Sequence, residues 1–134
     1  MDEKNAYMTK PLVLAYIGDS VYELYIRERL AGEKHKNVND LHRRTVRYVK
    51  ASAQAAILRR MENELTEREQ DVVRFGRNAH SGTVPKNAEL SDYRAATGFE
   101  ALIGYLKESG QDDRLKTLLD AAFEYGKEEN ETEC

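Results

Sequence analysis

Residues 11–32 read PLVLAYIGDSVYELYIRERLAG. Pro11 suits the first turn of a helix, where its missing N–H is not needed. Leu12-Val13-Leu14-Ala15-Tyr16-Ile17 opens an apolar run that continues to Leu30, and Gly32 closes it. No strict alternation of apolar and polar residues interrupts the run, so the pattern predicts one long helix. The rest of the chain keeps the same habit. Asn39 is placed to cap a helix over about 40–50, a third covers about 52–64, and Thr66 with Glu69 forms a capping box for a fourth over about 67–76. Ser91 is placed to cap a fifth that ends near Ser109-Gly110, and a last helix spans about 111–126. With 8 Gly and 2 Pro in 134 residues, turn signals are too scarce for a β-sandwich or barrel. The expected fold is all-α: one domain over 11–127, an N-terminal extension over 1–10 and an acidic tail over 128–134.

Composition narrows the function classes. Hydrophobic residues are 40% and charged residues 34%, enough for a core with a very polar exterior. No apolar run approaches the roughly 18 residues of a membrane span, and the polar start MDEKNAYMTK reads as no signal peptide. The single cysteine, Cys134, excludes a disulfide framework and a Cys-based zinc site, and fits a reducing cytoplasm. The net charge of −3 hides a segregation of charge. Between 34 and 60, Lys34, Lys36, Arg43, Arg44, Arg47, Lys50, Arg59 and Arg60 face Asp40 alone, whereas over 120–134 six acids face only Lys127. The acidic end is expected to hang free or to keep a nucleic acid off that side. The connection GRNAHSGTVPKNAEL, 76–90, is long for a helical domain and carries Arg77, Asn78, His80, Lys86 and Asn87. With Arg43, Arg44, Arg47, Lys50 and Arg94, these residues form the candidate nucleic-acid phosphate contacts; an ordinary solvated surface is the competing reading.

Two carboxylates stand where apolar residues are expected. Asp19 interrupts LVLAYIGDSVYELYI, with Ala15, Tyr16, Tyr22 and Glu23 as helical neighbours, so it is expected to lose water. Glu100 is the only charge in AATGFEALIGYL, beside the core stripe Phe99, Leu102, Ile103 and Leu106. Two such acids invite one hard cation: magnesium accepts two carboxylates, several waters and a substrate phosphate. Such an ion would orient or acidify a water and neutralise charge on a phosphodiester. Each acid could instead pair with an arginine or a buried amide, and Glu23 could join the cluster or pair with Arg27. Gly18 and Gly98 suggest close approach of helices near the two acids. The histidines have no metal-ligand spacing, and Ser20 has no base within reach by sequence.

These residues carry a family resemblance. IGDSVYELYIRERL, 17–30, resembles the signature helix of the ribonuclease III family, which centres on Gly-Asp-Ser followed by apolar residues. GFEALIGYL, 98–106, resembles the second acidic motif, with Glu100, Ala101, Leu102, Ile103 and Gly104 in the places of its Glu-Ala-Leu-Ile-Gly. The resemblance spans about Pro11 to Gly126. No double-stranded-RNA-binding domain follows, as in the short form of the family. It implies a homodimeric, Mg2+-dependent endonuclease that cuts double-stranded RNA to 5′-phosphate and 3′-hydroxyl ends. The implied substrate is precursor 23S ribosomal RNA, whose ends it would trim. Asp19 and Glu100 would be the catalytic and metal-ligating residues, and the apolar face of the first long helix would help form the dimer. A ribosomal-protein helper fits that role, and no membrane does. The larger family also places a Glu four residues before the signature Asp and an Asp three before the second Glu; here those positions hold Ala15 and Thr97. A catalytically silent relative that docks on ribosomal RNA is the alternative, and a helical adaptor without RNA affinity is the third.

Overall fold

The computed structural model describes residues 1–79 and 89–132. Seven α-helices follow one another among them: α1 Glu3–Met8, α2 Pro11–Ala31, α3 Val38–Val49, α4 Ala51–Met61, α5 Glu67–Asn78, α6 Leu90–Glu108 and α7 Asp112–Thr132. A 3₁₀ turn, Glu62–Glu64, links α4 to α5, and no strand occurs among the described residues. The all-α expectation is met.

Local signals explain most boundaries. Pro11 occupies the first turn of α2. The Thr66–Glu69 capping box is formed in both directions, at 3.2 Å from the Glu69 N–H to Thr66 Oγ1 and 2.9 Å from the Thr66 N–H to Glu69 Oε1. Two caps differ from expectation. Asn37, not Asn39, caps α3: its side chain accepts from the Asp40 N–H at 2.9 Å, while Asp40 reaches back to the Lys36 N–H at 3.2 Å. The Asn37 cap satisfies an N–H three residues on, and the helix accordingly starts at Val38. Ser91 lies inside the first turn of α6, which begins at Leu90 without a side-chain cap. At helix ends, Gly32 is right-handed (φ −76°), so α2 closes without a left-handed glycine. Gly110 takes that role after α6 (φ +72°); the Gly110 N–H bonds the Lys107 carbonyl and the Gln111 N–H bonds the Leu106 carbonyl.

Helix α6 is the axis of the fold. Every residue from Ala96 to Leu106 is buried except Glu100, and α6 packs against α1, α2, α4, α5 and α7. The expected stripe of Phe99, Leu102, Ile103 and Leu106 is fully enclosed. Tyr22 of α2 meets Phe99 edge-on at 5.0 Å, and its hydroxyl donates to the Tyr48 carbonyl at 2.9 Å. Tyr48 stacks on Phe123 of α7.

Helix α1 joins this core, and the described part of the acidic end is tied to the domain's surface. Ala6 of α1 is completely buried, and Glu3 accepts hydrogen bonds from the Tyr105 hydroxyl and from Arg68. Helix α7 runs past Gly126 to Thr132, and Arg60 binds Glu128 at 2.5 Å and Glu129 at 2.9 Å. The acidic end is therefore tied to α4 as far as it is described, because a cation lies beside it. Glu133 and Cys134 lie outside the described residues.

Candidate active site

The site begins with two glycines that let α2 and α6 touch. A Cβ on Gly18 would lie 1.8 Å from the Glu100 carbonyl oxygen, and one on Gly104 would lie 1.9 Å from the Leu14 carbonyl oxygen. Neither position can hold a larger residue without moving a backbone. Asp19 follows Gly18 directly, so this contact delivers its side chain to the flank of α6 where Glu100 emerges. Gly98 belongs to a different crossing: it faces α5, where an added Cβ would lie 2.7 Å from the Val73 carbonyl oxygen.

The two acids are brought together: Gly18 touches the Glu100 backbone, and the neighbouring Asp19 carboxyl acts on that of Glu100. Burial pushes the pKa of Glu100 up to about 8, and the adjacent Asp19 carboxyl pushes the same way. The Gln54 amide acts in the opposite sense by donating to Glu100 Oε2 at 3.1 Å. Burial and the repulsion of the neighbouring carboxylate thus both favour the protonated form of Glu100. A divalent cation relieves the same repulsion, and two hard carboxylate oxygens suit magnesium better than zinc. The donor set thus fits a magnesium-type ion. It is sparse: Ala15 and Thr97 are buried, and Thr97 Oγ1 donates to the Tyr93 carbonyl at 3.0 Å. No group of three or more His, Cys, Asp or Glu residues is set for a metal among the described residues.

Asp19 itself is exposed, contrary to expectation. The flank of α2 away from α6 is uncovered in the single chain, leaving Tyr16 81% exposed and Val13 and Leu24 about half exposed. Only Glu100 carries the cost of burial. Asp19 opens into a groove of about 250 Å³ with Ser20, Glu23, Leu24 and Arg27. Glu23 pairs with Arg27 at 2.8 Å, the second of its two readings.

The basic candidates divide. Arg43, Arg47 and Lys50 are exposed on α3 and its C-terminal junction, with Arg43 3.7 Å from Asp40. Arg44 is held by Glu33 at 2.5 Å and the Lys34 carbonyl at 3.2 Å. Arg77, Asn78 and Arg94 line one cavity of about 390 Å³ with Ala55, Ser91, Ala95 and Arg59. Arg77 also pairs with Glu62 at 3.0 Å. His80, Lys86 and Asn87 lie outside the described residues. Sequence reasoning passed over Arg59 as a site residue because its register with Arg94 is set only by packing. It also passed over Gln54, whose signal was present: a lone amide within ASAQAAIL.

Comparison with known proteins identifies the family. The Ribonuclease III domain family matches residues 12–111. The chain belongs to the ribonuclease III family. It is 53% identical over 121 residues to the Mini-ribonuclease 3 of Symbiobacterium thermophilum, covering 90% of this chain and 93% of that one. It is also 53% identical over 114 residues to the Mini-ribonuclease 3 of a Thermoanaerobacter species, covering 85% and 80%. A crystal structure of protein FN1578 from Fusobacterium nucleatum superposes with a TM-score of 0.79 at 25% identity, over 87% of this chain and 93% of that one. The resemblance carried by Asp19, Glu100 and their flanking residues thus extends across the domain. As a ribonuclease III family member of the Mini-ribonuclease 3 kind, the protein is an endoribonuclease of the double-strand-cutting class. No helix among the described residues is long and apolar enough to cross a membrane.

Proposed function

We propose that the protein is a magnesium-dependent endoribonuclease that matures the ends of precursor 23S ribosomal RNA in the cytoplasm, acting as a homodimer on duplex RNA. The observation that carries the reading is the meeting of Asp19 and Glu100 at the α2–α6 crossing, beside an open groove. A divalent cation held there supplies charge neutralisation at the scissile phosphodiester and polarises the attacking water. Asp19 offers an exposed carboxylate. Glu100 would give up its proton to become the second ligand, which ties binding of the ion to pH. Arg59, Arg77, Asn78 and Arg94 hold backbone phosphates, with Arg43, Arg44, Arg47, Lys50, His80, Lys86 and Asn87 as further contacts. Such contacts set register and affinity rather than sequence, in keeping with recognition of duplex RNA by shape.

The uncovered apolar flank of α2, with Val13, Tyr16 and Leu24, supports a second copy as partner. Twofold symmetry matches two antiparallel strands, one cut by each subunit to leave 5′-phosphate and 3′-hydroxyl ends. Incubation of the pure protein with precursor 23S RNA, with magnesium or with chelator, tests the whole reading. Magnesium-dependent ends at the mature termini are expected, and Asp19→Asn should stay folded without cutting. The two-acid donor set favours one second reading, a silent module that retains duplex RNA. Retention without magnesium-dependent products would establish that reading instead.

A further inference from the structure

Gln54 is 2% exposed on α4, surrounded by the apolar residues of ASAQAAIL. Its Nε2 makes two bonds, donating to the Val49 carbonyl at 2.8 Å and to Glu100 Oε2 at 3.1 Å. Its Oε1 makes none, and it is the only buried side-chain oxygen or nitrogen without a partner among the described residues. A leucine would fill the same volume without the stranded Oε1, although it would take the donor away from the Val49 carbonyl. What the amide supplies is donor geometry. Val49 ends α3, where the last carbonyls lack helical partners. Binding that carbonyl fixes the amide plane and aims the second N–H at Glu100. Glu100 is only partly buried and would otherwise be free to swing on its two inner torsions.

We propose that Gln54 is a positioning residue for the acid pair: anchored on Val49, it holds Glu100 in the rotamer that meets Asp19, so the two-carboxylate site is formed before its cation arrives. This rests on the reading of Asp19 and Glu100 as one divalent-ion site. Outer partners that orient metal-ligating side chains typically change metal affinity about 10- to 100-fold when removed. Two substitutions remove the donor while keeping the volume: Gln54→Leu and Gln54→Met. The test compares them with the wild type by calorimetric titration of Mn2+ without RNA, by the magnesium dependence of single-turnover duplex cleavage, by duplex retention in chelator, and by thermal melting.

The expected result is Mn2+ affinity weaker by about 10-fold or more in both variants, with a matching rise in the magnesium needed for cleavage. Duplex retention should not change, and melting should change little, because the stranded Oε1 is gone while the Val49 carbonyl loses its donor. Folded variants with wild-type Mn2+ affinity and magnesium dependence would overturn the proposal while leaving the site reading intact. Failure of both variants to fold would also overturn it, by making the amide a structural bond. A wild type without divalent-dependent cleavage would overturn the site reading beneath it.

Discussion

Replacing Gly18 with alanine perturbs the site at its foundation. The new Cβ would lie 1.8 Å from the Glu100 carbonyl oxygen, and contacts below 3.0 Å are essentially never seen. The obstacle is backbone, so no rotamer change relieves it, and α2 must move from α6 by about 1 Å. Overpacking of this kind costs about 3 kcal/mol, at the upper end of its usual range. The gain in helix propensity returns about 1 kcal/mol. The net loss of about 2 kcal/mol should lower the melting temperature by about 8 °C in a domain of this size. Asp19 is the next residue, so the same displacement separates it from Glu100, and about 1 Å of misplacement costs about 100-fold in rate. The assay is duplex cleavage under single-turnover conditions together with thermal melting. Gly32→Ala is the control, since its Cβ would find 3.5 Å to the nearest atom. It should stay within roughly 0.5 kcal/mol of the wild type. A Gly18→Ala protein that melts and cuts like the wild type would refute the close crossing as the source of the site's geometry.

Other perturbations address separate parts of the molecule. Glu100 holds its proton up to about pH 8, so the metal-free folded state binds more protons than the unfolded one above the ordinary carboxylate range. Stability should therefore fall as pH rises toward about 8, by at most about 1.4 kcal/mol per pH unit, and Glu100→Gln should remove this slope in urea titrations. A slope unchanged in Glu100→Gln would assign it to other groups. Glu69 is buried and bound by Arg114 at 2.8 and 2.9 Å. Arg114→Met should strand that carboxylate and cost roughly 2–3 kcal/mol by urea denaturation, less than a fully buried pair because the arginine is partly exposed. Arg59→Ala with Arg94→Ala should weaken duplex binding and reduce its log–log salt slope by about 0.7–0.9 for each phosphate no longer neutralised; an unchanged slope would remove this cavity from the RNA path.

Much of the fold was legible because its signals are local. Pro11 and the Thr66–Glu69 box act within one turn, and the stripe Phe99, Leu102, Ile103 and Leu106 has a periodicity that only burial explains. Asn39 and Ser91 misled because a cap is defined by the N–H its side chain meets: Asn37 accepts from the Asp40 N–H, whereas Ser91 caps nothing. Asp19 and Glu100 stood out as charges in apolar segments, but their exposures were not legible. Asp19 owes its exposure to the uncovered flank of α2, a property of the assembled helices. The partners of Arg44, Arg60 and Arg114 were equally hidden, since each lies on another element. Gln54 carried the same kind of signal as the acids, yet its importance shows only with its distances to Val49 and Glu100.

The central claim is that Asp19 and Glu100 act as one unit on one ion. Single-turnover cleavage of a duplex RNA by Asp19→Asn, Glu100→Gln and the double variant tests it directly, with duplex retention in chelator as the measure of intact RNA binding. Groups that share one function lose nearly everything when either is removed, so the double variant should be about as slow as the slower single one. Losses that multiply across the two substitutions, or a single variant that keeps the wild-type rate, would contradict the claim.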